Sequence, residues 1–288
     1  MTRSFLPSEL DNSRLYAYLS SAVAPRPIAF ASTVDAHGNP NLSPFSFFNV
    51  FSASPPILVF SPVNRGQDGS QKDTLLNVQE VPEVVINVVN YQMVHQMSLS
   101  STAYPKGVNE FVKSGFSAQP SDLVKPFRVA QSPVQFECKV TQILPLGQGG
   151  GAGNLVICEV VKIHIKENLI DANGHLIHQQ LDLVSRMGAN WYCRASQAMF
   201  EVPKPLAAMG IGVDQLPEEI RHSRILTGND LGKLATVEKI PDAVSAKQFV
   251  SSLKGFPQAA NTENRHRLAQ EYLDKNDIEN AWKILLAN

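Results

Sequence analysis

The sequence predicts a mainly β protein: a closed or half-closed antiparallel barrel with peripheral helices, followed by a small α-helical appendage. Three observations lead there. Short runs rich in Val, Ile and Phe recur between turn residues as far as about residue 204. Only two stretches before that point read as helices, too few for a doubly wound parallel sheet. After Val202-Pro203-Lys204-Pro205 the apolar spacing becomes helical. The expected organisation is a β unit over 1–204 and a helical extension over 205–288.

The expected strands are 28–34, 57–61, 83–89, 134–144 and 155–165, with a short one at 169–170 before the turn Asp171-Ala172-Asn173-Gly174. Between them, 72–81 and 91–100 are predicted helices, the first opening on Asp73-Thr74 ahead of Leu75, Leu76 and Val78. Gly147-Gln148-Gly149-Gly150-Gly151-Ala152 matches the dinucleotide pattern GxGxxA, but the strand-like run Leu155 to Val161 follows it. The dinucleotide fingerprint needs a helix there, so these glycines are read as a hairpin connection. In the extension, Leu216-Pro217-Glu218-Glu219-Ile220 opens like a helix. Residues 265–286 read as two more, broken at Lys275-Asn276-Asp277. The expected role of this extension is packing or dimer stabilisation.

Composition narrows the function. The chain has 288 residues, 43% of them hydrophobic, and a formal net charge of −1, so no basic surplus points to nucleic acid. No apolar run approaches the ~18 residues of a membrane span, and the N-terminus has no signal-like core. Cys138, Cys158 and Cys193 are an odd, widely spaced set that indicates neither a disulfide framework nor a zinc site. A cytoplasmic location is the expectation. His175 and His178 lack metalloprotease spacing, His95 reads as a helix residue and His164 as a strand residue, and no metal is expected. No serine stands in a GxSxG elbow.

The segment from Pro25 to Pro56, PRPIAFASTVDAHGNPNLSPFSFFNVFSASPP, holds the densest set of candidate residues. It reads as strand, turn, polar aromatic loop and strand. The loop offers Ser43, Pro44, Phe45, Ser46, Phe47, Phe48 and Asn49, which supply ring surface, hydroxyls and backbone N–H groups to a flat heteroaromatic ring with a phosphate tail. Taken by composition alone, the same phenylalanines serve equally as core plugs and the serines as turn formers. Downstream, Lys72-Asp73-Thr74 joins a cation and a hydroxyl to a helix start, which suits a phosphate. Asp73 or Thr74 serves equally as a cap.

The order PRPI…ST-D-HG-PN-SPFSFFN…S-PP resembles the N-terminal signature of the flavin reductase-like, FMN-binding split-barrel family, and the resemblance runs over roughly 15 to 200. Lys72-Asp73-Thr74 resembles the family's Lys/Arg-Asp-Thr element. Arg186-Met187-Gly188 with Trp191-Tyr192 resembles its Arg-x-Gly-Gly-x-x-Tyr element, with Ala189 at the second glycine. The resemblance implies a split barrel, a homodimer, FMN rather than FAD, and NADH or NADPH as electron donor. It implies Ser43, Ser46 and the 45–49 backbone at the ribityl chain and ring edge, with Thr33 and Ser61 as further candidates. Lys72, Asp73 and Thr74 are implied at the phosphate, Arg186 at phosphate or ring charge, and Trp191 and Tyr192 at a planar substrate. No general acid or base is expected, because hydride transfer to flavin needs none. The acceptor is a small molecule, a flavin or an electron-acceptor protein. Other readings are an electron carrier or flavin store without NAD(P)H turnover, a related barrel acting on pyridoxine phosphate or haem, and a non-enzymatic interaction module.

Overall fold

The computed structural model describes residues 1–204, 209–252 and 261–287. Pro205, part of the expected boundary, lies outside the described residues. The chain forms two compact units, Met1–Met199 and Phe200–Asn288.

In the first unit, helix α1 (Asn12–Ala22) precedes β1 (Ala29–Val34), β2 (Pro40–Phe45), β3 (Phe48–Ala53) and β4 (Pro56–Phe60). Helix α2 (Asp73–Glu80) leads to β5 (Glu83–Asn87), and α3 (Val94–Leu99) and α4 (Glu110–Ser114) follow. The pair β6 (Ala118–Gln119) and β7 (Arg128–Val129) comes next, then the long hairpin β8 (Val134–Pro145) and β9 (Asn154–Ile165). Helix α5 (His178–Leu181) and the hairpin β10 (Val184–Arg186) and β11 (Tyr192–Arg194) complete the unit. Seven strands form one antiparallel sheet in the order β2-β1-β5-β8-β9-β4-β3. Its end strands β2 and β3 form no ladder with each other among the described residues, so the hydrogen bonding is that of a large antiparallel sheet, not of a closed barrel.

Strand β1 is buried along its whole length because both sheet faces are covered. On one face Ala29, Ala31 and Phe45 pack with Leu75 and Val78 of α2. On the other, Phe30 and Leu42 pack with Met97 of α3 and Phe111 of α4. The glycine run joins β8 to β9 as a hairpin, with Gly149 and Gly151 at positive φ. All three cysteines are free, and burial pushes the Cys138 and Cys158 thiols up.

Three expectations need correction. The Pro40–Asn49 stretch is not a loop: β2 and β3 occupy most of it, with only Ser46-Phe47 between them. Prolines are tolerated in β2 because it is an edge strand whose outward positions need no ladder N–H. Residues 169–170 are not a strand: Glu167–Leu169 is a 3-10 turn, and Ile170 makes a single bridge to Leu176. The helix expected over 91–100 begins as a 3-10 turn, Tyr91–Met93, before α3.

The second unit is helical, with α6 (Glu218–Arg221), α7 (Gly228–Leu234), α8 (Ala243–Ser252), α9 (Thr262–Asp274) and α10 (Ile278–Leu286). Leu216, Leu234, Leu273, Trp282 and Ile284 form its core, where the buried Trp282 indole donates to the Leu234 carbonyl at 3.1 Å. No described helix is long and apolar enough to cross a membrane.

Candidate functional site

Helix α2 packs Leu75 and Val78 onto β1 and β2, and the same helix face turns Thr74 and Asn77 toward them. Thr33 and Asn41 are direct partners across β1 and β2, so the four polar groups meet. The Asn77 amide donates to the Thr33 hydroxyl at 3.1 Å, and the Thr74 hydroxyl donates to Asn41 Oδ1 at 2.7 Å. Beyond Asn41, at the free edge of β2, the buried Glu110 accepts the Leu42 N–H at 3.1 Å. An otherwise open strand edge is thereby satisfied by a side chain.

A polar recess opens beside this network. Asn41 and Ser43 of β2 line it with Arg65 and Lys72 of the β4–α2 connection, Asp73 and Thr74 at the start of α2, residues 100–104 after α3, and Glu110. Arg65 is held in place by donating to the Gln71 carbonyl and to Ser70 Oγ at 3.3 Å, and it pairs with Asp73 at 3.4 Å. The Lys72 ammonium makes no hydrogen bond or ion pair among the described residues, while the residue's carbonyl accepts the Leu75 and Leu76 N–H groups. Its ammonium lies below the ordinary lysine value because it is desolvated and stands beside the Arg65 guanidinium. Lys72 is also the N-cap of α2 and provides no side-chain cap, and the N–H groups of Asp73 and Thr74 find no acceptor among the described residues. The caps considered for Asp73 and Thr74 are not formed: Asp73 pairs with Arg65, and Thr74 with Asn41. Two cations, free helix N–H groups and surrounding hydroxyls make a donor set suited to a phosphate.

Of the sequence candidates, Ser43, Lys72, Asp73 and Thr74 come together here, and Thr33 stands behind them through Asn41. Phe45 does not: its ring is in the core against Phe60, with centroids 5.5 Å apart. Ser61 is a structural lock, its hydroxyl accepting the Asn154 N–H at 3.1 Å. Phe48 packs on the core, and Asn49 accepts the N–H of Val50. Pro44 lies half-buried within β2. Ser46 and Phe47 lie near Arg26, whose guanidinium stands 6.0 Å from the Phe47 ring and 3.5 Å from Ser46 Oγ.

Arg186, Trp191 and Tyr192 belong to a separate hairpin. It joins the start of the Pro25–Pro56 segment through paired backbone bonds between Arg26 and Arg186. The Arg186 guanidinium lies 4.7 Å from the Tyr192 ring centroid and donates to the Ala189 carbonyl, while Trp191 is 76% exposed. Gly188 is required, since a Cβ there would meet Ser21 Oγ at 2.1 Å. Ala189 adopts φ 48°, the left-handed conformation that favours glycine.

Three participants escaped the sequence reading, Asn41 of β2 among them. Arg65 sits seven residues before Lys72 in a turn-rich stretch, and only the folded loop returns it to the recess. Glu110 follows an N-cap asparagine and reads as an ordinary helix-start acid. A second acidic group gathers where Asp122 of the β6–β7 connection meets Glu137 of β8 and His164 of β9, but its groups are taken up by protein partners: Glu137 by two backbone N–H groups and His164, Asp122 by Lys162.

Comparison with known proteins identifies the family of the sheet unit. The family model described as Flavin reductase like domain matches residues 21–182. An uncharacterized protein of Halalkalibacterium halodurans is 36% identical over 201 residues, covering 69% of this chain and 95% of its own. Nitrilotriacetate monooxygenase component B from Bacillus cereus superposes with a TM-score of 0.66 at 26% identity, over 70% of this chain and 99% of that one. A structure with a split barrel domain from Shewanella frigidimarina shares the fold, with a TM-score of 0.60 at 22% identity over 70% of this chain and 100% of that one.

Proposed function

The chain belongs to the flavin reductase like domain family, and from that premise we propose that it is an FMN-dependent oxidoreductase drawing electrons from NADH or NADPH. The observation that carries this reading is the unpartnered Lys72 ammonium beside Arg65 at the uncapped start of α2. An anion placed there relieves the repulsion between the desolvated Lys72 ammonium and the Arg65 guanidinium and accepts the free N–H groups of Asp73 and Thr74. Lys72, Arg65 and the hydroxyls of Ser43 and Thr74 hold the flavin phosphate. Strand β2 leads from that recess to Ser46 and Phe47, which with the 45–49 backbone meet the ring edge.

When bound, the flavin supplies hydride acceptance and electron transfer, so the protein's tasks are binding, orientation and access. Arg186, held over Tyr192, faces negative charge on the ring or phosphate, and the exposed Trp191 offers a stacking surface to a nicotinamide or a planar acceptor. The sheet unit is a split barrel in this reading. The chain works as a homodimer, which covers Val50 and Phe51 of edge strand β3, exposed by 63% and 69%.

The test begins with the visible spectrum of the purified protein and its affinity for added FMN, followed by anaerobic addition of NADH or NADPH. Bleaching by one nicotinamide supports the reductase and names the donor. Bound FMN that neither nicotinamide reduces leaves an electron carrier or flavin store. A protein that neither carries nor binds FMN overturns the proposal. The double variant Lys72→Ala/Thr74→Ala is expected to weaken FMN binding at least tenfold, roughly one charged contact, and size-exclusion chromatography with light scattering checks the dimer.

A further inference from the structure

Glu110 has no part in the flavin reading, yet its buried carboxylate lies at the floor of the recess, on the network that fixes Thr74. A carboxylate only accepts hydrogen bonds, so it turns the donating end of the neighbouring Asn41 amide toward itself. The other end, Oδ1, then faces Thr74 and takes the hydroxyl proton at 2.7 Å. Thr74 is left presenting only lone pairs to the recess. A phosphate oxygen is also an acceptor and meets that arrangement unfavourably.

With Glu110 neutral the chain of bonds runs the other way. The carboxyl O–H donates to Asn41 Oδ1 after a half-turn of the amide, the Asn41 NH2 donates to Thr74 Oγ1, and the Thr74 proton is free to point into the recess. The Thr33 hydroxyl, 3.5 Å from the same amide end, donates to Oδ1 in the orientation seen here and accepts from the NH2 after the half-turn.

We propose that Glu110 sets the direction of the Thr74 hydroxyl through the Asn41 carboxamide, so that a phosphate dianion enters the recess together with one proton taken up by Glu110. In balance, one carboxylate, one proton and one dianion become one neutral carboxyl with the dianion bound. This rests on the FMN reading above and adds a proton-linked regulation of the same site. Burial already holds the Glu110 carboxyl above its ordinary value, and the nearby Asp73 charge adds to that. The other charged or titratable groups around it are Arg65, Lys72 and Tyr104 in the recess, and Asp35 and Lys106 in a second recess that Glu110 also lines. Glu110 is thus a positioning residue acting through Asn41 and Thr74.

The experiment is calorimetric titration of FMN into the full chain between pH 6.5 and 9, in phosphate-free buffers of different ionisation enthalpy. At pH 8 the FMN phosphate, with a second pKa of about 6, is already a dianion, so uptake belongs to the protein. The expected result is net proton uptake with FMN, none with riboflavin, and none with FMN in Glu110→Gln. The Lys72→Met variant is expected to bind FMN more weakly and keep the uptake. No uptake across the range, equal uptake with riboflavin, persistence in Glu110→Gln or loss in Lys72→Met each overturns the proposal. The riboflavin and Lys72→Met arms decide it even where Glu110→Gln does not fold. FMN binding without uptake removes only the role of Glu110, whereas no FMN binding removes the flavin reading as well.

Discussion

Glu110 and Glu137 are both buried glutamates of the sheet unit, and their carboxyls are displaced in opposite directions. Burial alone pushes both up. At Glu137 it is outweighed by the N–H groups of Asp122 and Leu123, at 2.9 and 2.6 Å, and by His164 Nε2 at 2.6 Å, which hold the carboxyl below the usual range. Glu110 accepts the Leu42 N–H at 3.1 Å, with lesser help from its own N–H and the Asn41 amide. That is too little to offset desolvation, and with the Asp73 charge adding to it the carboxyl lies above the usual range. How close the donors stand, and the sign of the charge beside them, decides whether a buried acid is fixed as a charge or left responsive. Glu137 is a clasp that holds the 122–123 loop to β8; Glu110 borders an open recess and remains able to respond to what enters it.

The largest test of this contrast is Glu137→Ala. It removes a fully buried carboxylate and leaves its three part-buried donors, the Asp122 and Leu123 N–H groups and His164, without that partner. Losing one side of such a pair costs about 3 kcal/mol. Scanning calorimetry of the variant should show the sheet unit melting well below wild type. The sign of the pH effect follows from the lowered folded value. Glu137 contributes its full stability above the ordinary glutamate value of 4.5 and loses it as pH falls through the lower folded value. The sheet unit is therefore expected to resist acid down to about pH 4.5, and an equal loss already at pH 6 would place the clasp elsewhere.

The helical unit carries a buried titratable group that also loses its contribution in acid, but from a higher pH. The Ser223 hydroxyl accepts the N–H groups of Ile225 and Leu226, both at 3.0 Å, so its own proton goes to His266 Nδ1 at 2.8 Å. A protonated imidazole has no lone pair to receive it. Burial, with the Arg265 charge adding to it, holds His266 below its ordinary 6.5. Its contribution is complete above pH 6.5 and is lost as pH falls from there through the folded value. The expected loss is about 1–2 kcal/mol, seen as the buried Trp282 fluorescence shifting red before the sheet unit responds. Simultaneous acid transitions in both units would show that His266 does not govern the second.

How much of this was legible in the sequence depended on where each residue faces. β1, β4, β5, β8 and β9 were readable because at least one face of each is apolar. β2 and β3 were read as a loop because Pro40, Pro44, Asn41 and Ser43 carry turn chemistry; edge position makes the same residues compatible with a strand. Lys72-Asp73-Thr74 was found because a short motif keeps its neighbours in sequence. Arg65, Asn41 and Glu110 were not, since 65, 41 and 110 meet only after the sheet and two helices have packed. Helix α1 was missed because only Ser20 of its eleven residues is buried, which leaves almost no apolar stripe to read.

A smaller test returns to Glu110. Its raised value means that the folded state penalises the ionised carboxyl, so near neutral pH the residue costs stability, a cost that shrinks as pH falls toward the ordinary 4.5. Glu110→Gln keeps an acceptor for the Leu42 N–H and is expected to be more stable than wild type by up to about 1 kcal/mol at pH 8. The gain should fade toward pH 5 in urea denaturation. A marked loss of stability at every pH would mean that Glu110 is a clasp like Glu137.

The smallest expected effect sharpens the same principle on adjacent residues of β1. Ser32 and Thr33 are both fully buried and point to opposite faces of the sheet. Thr33 accepts from Asn77 at 3.1 Å, whereas the Ser32 hydroxyl has no hydrogen-bond partner among the described residues and lies across from Leu42 and Val85. Thr33→Val strands the Asn77 amide and should cost about 1 kcal/mol. Ser32→Ala removes an unpaired polar group and should be neutral or stabilising by a few tenths of a kcal/mol, on the order of what mutational series give for such groups. Calorimetry of the two single variants reads the difference directly. If Ser32→Ala were as damaging as Thr33→Val, the Ser32 hydroxyl would have to hold a partner, an ordered water above all, and partner supply rather than burial would again be the deciding quantity.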